Sequence, residues 1–189
     1  QQKTVRRRSM NWLGDYRIDM KKAPLTMTDR EFMLHAFKGN QEAVDYVLMV
    51  ARVVDVWDNL IDRDVPVSDS AINDAFWLLM VEIPRNGFYR AFVDELGPVT
   101  ATGILNWMTA NGLEKATFDT DAQPRAIEIA HVIRYSIADV ALMAALLCGG
   151  KEWAAQVGPE LRMRSQRSDL TEYINSLRAK REVNHATES

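Results

Sequence analysis

A chain of 189 residues, of which 47% are hydrophobic and 26% charged, has the composition of an ordinary globular protein with room for one buried core. Its single cysteine, Cys148, excludes an internal disulfide, and no uncharged apolar run reaches the roughly 18 residues of a membrane span. The net charge of −3 combines a basic beginning, an acidic middle and a mildly basic end. Both ends are therefore candidates for contact with an acidic partner or a polyanion.

The beginning of the chain is basic but lacks the apolar stretch of a secretory signal. Residues 1–30 hold eight Lys or Arg against three acids, and three arginines follow one another at residues 6–8. We predict that residues 1–27 form a basic N-terminal arm. Contact with nucleic acid is the rarer role of such an arm, and a solvated arm is the commoner one.

Helical spacing of apolar residues continues along nearly the whole chain, and helix breakers fall between the segments. A capping box of Thr28 and Glu31 opens the first, short helix, which Gly39 ends. No strand-like alternation of useful length occurs, so the sequence predicts an all-α, single-domain helical bundle. The further predicted helices cover about residues 41–62, 69–83, 88–96, 98–116, 124–148 and 160–182.

Two stretches of these helices, AVDYVLMVARVVDVW at 43–57 and IAHVIRYSIADVALMAALLC at 129–148, are apolar nearly all the way round. Such helices are buried on most faces, so we predict that this pair forms the centre of a bundle spanning residues 28–158. Gly149-Gly150 is predicted to end the second helix, and Gly158-Pro159 to separate the bundle from a protruding, charged C-terminal helix and tail at 159–189.

The C-terminal helix carries only a narrow apolar stripe among charged and polar residues. An isolated helix of this kind gains little from folding alone, so we expect the stripe to dock on another chain or on its own body. The predicted partner-binding residues are Leu170, Tyr173, Ile174, Leu177, Arg178 and Arg181.

The most unusual stretch is VVDVWDNLIDRD at 53–64, which places several aspartates directly after an apolar run. On a helix, Asp55, Asp58 and Asp62 fall within an arc of about 120° together with Arg52. On the second central helix, His131, Tyr135 and Asp139 follow at spacing four, with Arg134 beside them. If the two helices are antiparallel, a buried polar pocket containing Arg52, His131, Arg134 and Tyr135 results.

Two interpretations of these aspartates remain open. A buried charge is tolerated only when it is paired, so Arg52 and Arg134 can form cross-helix ion pairs with Asp55 and Asp139. Carboxylates on one helix face can instead hold Mg²⁺, which prefers oxygen ligands and often shares its coordination sphere with substrate phosphates. The candidate metal ligands are Asp55, Asp58, Asp62 and Asp139.

The aspartate stretch resembles the first acidic motif of the all-α isoprenoid synthases. The resemblance implies that Asp55, Asp58 and Asp62 bind the Mg²⁺ of a prenyl diphosphate, with Asp139 in place of a second acidic motif. Acids on facing helices are also typical of all-α nucleotide pyrophosphohydrolases. Their motif is rich in glutamate, and Glu42 with Asp45 matches it loosely. Both resemblances imply a Mg²⁺-dependent enzyme acting on a diphosphate.

A broader resemblance is carried by DNLIDRDVPVSDSAIN, FWLLMVEIPRNGFYR and KEWAAQVGPELR. These stretches are similar to small helical proteins of unknown function from tailed bacteriophages, over about residues 40–165. The resemblance implies a virion, or the cytoplasm of an infected host cell, as the setting. The leading hypothesis is a non-enzymatic helical component of a phage particle or its assembly, without a cofactor, whose basic ends bind protein partners or further copies of itself.

Overall fold

The computed structural model of this chain describes residues 29–63, 65–116, 123–166 and 168–187. Every regular element in these ranges is helical, which confirms the all-α, single-domain fold. The predicted arm at 1–27, the cap residue Thr28 and the side chain of Arg181 lie outside the described residues. The elements are α1 (Asp29–Ala36), α2 (Gln41–Asp62), α3 (Asp69–Trp77), a π-helical turn (Leu78–Glu82), α4 (Ile83–Arg85), α5 (Gly87–Ala91), α6 (Val93–Ala116), α7 (Gln123–Ile133), α8 (Ile137–Ser165) and α9 (Leu170–Thr187).

The first central helix, α2, has the bounds that the sequence predicts. The side chain of Asn40 accepts a hydrogen bond from the Ala43 N–H at 3.1 Å and so satisfies one of the unpaired donors at the start of the helix. At the other end, Arg63 takes the left-handed conformation with φ 54°, and its N–H donates to the carbonyl of Asn59. Local capping therefore fixes both ends of α2.

The main core lies between α2 and α8. Val44 and Val47 of α2 are fully buried in one cluster with Val140 and Ala144 of α8, and Leu96 of α6 belongs to the same cluster. The prediction that two apolar helices meet at the centre is therefore confirmed for these segments.

The second central helix is interrupted, whereas the sequence predicts one continuous helix. α7 ends at Ile133 and α8 begins at Ile137, because the chain turns at residues 134–136, where the Ser136 hydroxyl donates to the carbonyl of Ile133. A Ser side chain that bonds the backbone in this way competes with helical hydrogen bonding. The apolar residues Ile129 and Val132 of α7 are consequently left exposed.

α8 is a helical hairpin whose two halves, residues 137–149 and 151–165, are joined at Gly150. This glycine has φ 79° and ψ 178°, a conformation almost restricted to glycine. The hairpin brings Arg162 into an ion pair with Asp139, and a Cβ added at Gly158 would lie 3.2 Å from Leu142 Cδ1. The predicted helix end at Gly149-Gly150 is confirmed.

The boundary expected at Gly158-Pro159 falls inside the second half of α8, which continues to Ser165. Leu161 is buried in the main core, so the bundle extends beyond residue 158. The chain then turns at residues 166–169 and enters α9, whose Tyr173 and Leu177 pack with Ile127 of α7 in a second, smaller cluster. The apolar stripe of α9 therefore lies against its own chain.

A π-helical turn follows α3 and changes the direction of its side chains. Pro84 has no N–H to donate, and the Ile83 N–H donates to the carbonyl of Leu78, five residues back. Regular α-helical spacing would place Ile83 above Ile72, which is 37% exposed. The wider π-helical turn instead buries the side chain of Ile83, while the side chains of Ile72 and Phe76 on α3 face outward.

Candidate functional site

Three helices bring polar side chains to Arg134, the first residue after α7. Asp58 and Asp62 come from α2, Glu114 from α6 and Tyr173 from α9. The side chain of Arg134 is only 9% exposed. We call these residues, together with Trp107 and Asn111 of α6, the Arg134 cluster.

The guanidinium of Arg134 is paired with three carboxylates. Its Nη1 lies 3.3 Å from Asp58 Oδ1 and 4.0 Å from Asp62 Oδ2. Its Nε donates to Glu114 Oε1 at 3.1 Å. Ion pairs with Arg134 therefore account for Asp58 and Asp62, whereas the cross-helix pairs predicted from the sequence involved Asp55 and Asp139.

Neutral donors and acceptors complete this cluster. The indole Nε1 of Trp107 donates to Asp58 Oδ1 at 2.8 Å, and the hydroxyl of Tyr173 donates to Glu114. The side-chain oxygen of Asn111 accepts from Arg134 Nη2. A half-buried carboxylate is stabilised by each such donor, so the cluster is a mutually satisfied hydrogen-bond network.

Electrostatics and burial shift the pKa values of Arg134 and Tyr173. Burial alone would lower the pKa of Arg134, but the charge of Glu114 and the contact with Tyr173 outweigh it and raise the pKa. Burial and the charge of Glu114 raise the pKa of Tyr173, against the opposing effect of Arg134. The guanidinium therefore stays charged and the phenol stays neutral at ordinary pH.

His131 and Tyr135 hold the turn between α8 and α9. His131 Nε2 lies 2.9 Å from the carbonyl oxygen of Ser168, to which it can donate, and the Tyr135 hydroxyl lies 2.9 Å from Ser168 Oγ. The side-chain amide of Gln166 donates to the carbonyl of His131, whose ring lies 4.9 Å from that of Tyr173. These buried and half-buried groups satisfy each other and fix where α9 begins.

The structure does not bring all the predicted metal ligands together. Asp139 pairs with Arg162 on the other half of α8, and both side chains are 39% exposed. Asp55 is buried, with Arg52 of the same helix 3.7 Å away. Of the four aspartates, Asp58 and Asp62 are the two that contact Arg134.

Three residues of the cluster were not predicted from the sequence. Trp107, Asn111 and Glu114 lie at spacings of four and three on α6, so one face of that helix points toward Arg134. This spacing is visible in the sequence. Its partner helices are not, because the periodicity of one helix does not identify its neighbours.

Two of the exposed apolar surfaces outside the cluster are relevant to partner binding. The first, which we call the α6 face, consists of Ile104 (43% exposed), Leu105 (61%) and Met108 (55%). The second, which we call the α3 face, lies on α3 and the π-helical turn. It consists of Ile72, Phe76, Trp77, Leu79 and Met80, which are 37% to 64% exposed.

Within the described part of the chain, no group of three or more His, Cys, Asp or Glu side chains is arranged to hold a metal ion. Over the same residues, no single helix is both long and apolar enough to cross a membrane, although one bent pair of helical segments meets the two criteria together. In comparisons with known proteins, no family model, curated protein or solved structure matches this chain.

Proposed function

We propose that this chain is a non-enzymatic helical component of a protein assembly and that it joins other copies of itself through the α6 face. The observation that carries the proposal is the exposure of Ile104, Leu105 and Met108 side by side on one helix. A contiguous exposed apolar surface typically marks a protein contact. The resemblance of residues 40–165 to tailed-phage proteins supports a phage particle, or its assembly in the host cytoplasm, as the setting.

The Arg134 cluster supports a structural role for the residues that otherwise suggest catalysis. Asp58, Asp62 and Glu114 all face the same guanidinium, and Trp107 and Tyr173 donate to two of these carboxylates. A network satisfied in this way fixes the packing of its helices. Its charges therefore have partners without a substrate.

A second copy of the chain is the partner that the charges on α6 favour. Residues 96–113 contain no charged side chain, so two α6 faces can meet without placing like charges opposite each other. The α3 face lies instead among Asp69, Asp74 and Glu82 and would repel a copy of itself. Contacts of one patch with itself are the commonest way in which proteins form dimers.

The C-terminal helix contributes less to partner binding than its sequence suggests. Tyr173 and Leu177 are buried against α7, and Leu170 and Ile174 pack beside them. Partner contact by α9 is thus left to exposed and charged positions such as Arg178. We place the main contact on α6 for this reason.

Sedimentation equilibrium of the full chain tests the proposal. At micromolar concentrations we expect a mass that rises above 21.5 kDa with protein concentration. Leu105→Asp should hold the protein at the mass of one chain, because it places a charge in the centre of the apolar contact. The matched control Phe76→Asp lies on the α3 face and should leave association unchanged. A chain that is monomeric throughout, or equal effects of both variants, contradicts the proposal.

The second candidate is the Mg²⁺-dependent enzyme acting on a diphosphate. Asp58, Asp62 and Glu114 bring three carboxylates to one guanidinium. Their negative charge exceeds the single positive charge of Arg134, and this excess favours a metal ion at the cluster. If these carboxylates bind Mg²⁺, millimolar Mg²⁺ should raise the melting temperature, and Asp58→Asn should abolish the rise. A melting temperature that does not change with Mg²⁺ contradicts metal binding, and only the ion-pair interpretation then applies.

A further inference from the structure

The α3 face is a long apolar stripe with an acidic border. Phe76, Trp77 and Met80 are each more than half exposed at 64%, 57% and 59%. Asp69 and Asp74 are exposed on the same helix, and Glu82 accepts a hydrogen bond from the Trp77 indole at 2.8 Å. Residues 69–85 therefore carry three acids and one base, Arg85. Such a surface suits an apolar segment that is also positively charged.

The beginning of this chain has that chemistry. Residues 1–28 hold seven Lys or Arg against two acids. Between the charges, Leu13, Tyr16 and Met20 recur at spacings of three and four, and Trp12 lies beside them. The segment is therefore basic and carries a set of large apolar side chains that can meet one surface.

The described residues that follow this segment contact the same end of α2 as the residues that follow the α3 face. Residue 28 precedes α1, where Arg30 pairs with Asp45 of α2 at 3.0 Å. One turn away on α2, the carbonyl of Glu42 accepts a hydrogen bond from Asn86 at 2.9 Å. Asn86 lies six residues after Met80, so the start of α1 and the residues that follow the α3 face both contact the first turns of α2. A chain of this length reaches about 90 Å when extended, which is ample for the whole face.

We propose that residues 1–28 dock on the α3 face of their own chain, with their apolar side chains on Phe76 and Met80 and their basic side chains beside Asp69 and Asp74. The α6 face is a poorer site for this segment, because residues 96–113 offer no acidic side chain. A second copy is a poorer occupant of the α3 face, because the acidic border would face itself. This proposal concerns a different surface from the self-association through α6, so either proposal can be wrong without affecting the other.

Limited trypsin digestion of the full chain tests the docking, since Arg17, Lys21 and Lys22 are cleavage sites within the segment. Docking restricts cleavage to the fraction of molecules in which the segment is released. We expect Met80→Asp to speed cleavage at these sites by about tenfold or more, which corresponds to the loss of roughly 1.4 kcal/mol of docking free energy. Asp74→Lys, which keeps the apolar stripe and reverses one border charge, should also speed it.

The matched control is Met108→Asp, because Met108 is 55% exposed and Met80 is 59% exposed. It should leave cleavage at Arg17 to Lys22 at the wild-type rate. The circular dichroism spectrum of Met80→Asp should equal that of the wild type, since the side chain is on the surface, and its free energy of unfolding should fall by no more than the docking free energy that is lost. Wild-type cleavage as fast as that of Met80→Asp, or equal acceleration by Met108→Asp, overturns the proposal. Protection that increases with protein concentration overturns it as well, in favour of a second copy on this face.

Discussion

Arg134 connects segments that are far apart in the sequence. It contacts Asp58 from α2 and Glu114 from α6, and Glu114 in turn accepts from Tyr173 of α9. A single buried charge therefore fixes the relative positions of α2, α6, α7 and α9. Its removal leaves carboxylates without their shared counter-charge.

Arg134→Leu should destabilise the protein by about 3 to 5 kcal/mol, the usual effect of removing one partner of a buried ion pair. Urea unfolding followed by circular dichroism measures the change in free energy. Arg162→Leu is the control, because its partner Asp139 is 39% exposed and an exposed pair contributes at most about 1 kcal/mol. Equal losses of unfolding free energy in the two variants would show that burial does not make the Arg134 ion pairs more important for stability.

Helical periodicity together with antiparallel packing of the two central segments predicts that some of these residues lie together. Asp58 and Asp62 share a face of α2, and Arg134 belongs to the polar stripe of the second central segment. Asp139 was misplaced, because spacing-four reasoning assumes a continuous helix and the chain turns at residues 134–136. The contact between Glu114 and Arg134 depends on how α6 packs against the neighbouring helices. No local sequence pattern specifies that packing.

At the level of elements, glycine and cap residues predicted most helix ends. Asn40 and Gly150 act as the sequence suggests, one by capping α2 and the other by reversing the chain. The breaks predicted at Gly97-Pro98 and Gly158-Pro159 are wrong, because α6 and the second half of α8 each continue through the proline. The π-helical turn was not predicted either, although Pro84 is the residue that removes the regular hydrogen bond.

The hairpin in α8 predicts different results for two truncations. A chain that ends after Gly158 loses Leu161, which is 4% exposed in the main core, and should lose its cooperative unfolding transition. A chain that ends after Asp169 keeps the whole of α8 and loses the second, smaller cluster around Tyr173 and Leu177, together with the hydrogen bond from Tyr173 to Glu114. It should unfold cooperatively at a lower urea concentration. Both midpoints come from the same urea titration, and a cooperative transition in the shorter chain would place the end of the bundle at residue 158.

Over the whole molecule, two buried tyrosines link stability to alkaline pH. Burial raises the pKa of Tyr46 in the main core and that of Tyr173 in the Arg134 cluster. A phenol whose folded pKa is raised contributes its stability fully below its unfolded pKa of about 10, and this stability is lost as pH rises through the folded value.

We therefore expect the urea midpoint to fall steadily above about pH 10. Tyr173→Phe lowers stability at every pH, because the hydroxyl donated to Glu114 is lost, but the decline with pH should become shallower. A parallel decline in the variant would assign the alkaline effect to other groups. Phenolate absorbance measured alongside reports directly when the tyrosines ionise.

The reversal of the chain at Gly150 also determines where this protein can be lengthened. Gly150, Lys151 and Glu152 are all exposed at the tip of the hairpin, while both of its halves are held in the body by Val140 and Leu161. Exposed tips of this kind accept inserted segments because no buried backbone has to move. A fluorescent domain or an affinity peptide placed between Gly150 and Lys151 therefore labels the molecule without changing any residue of the α6 face or the α3 face.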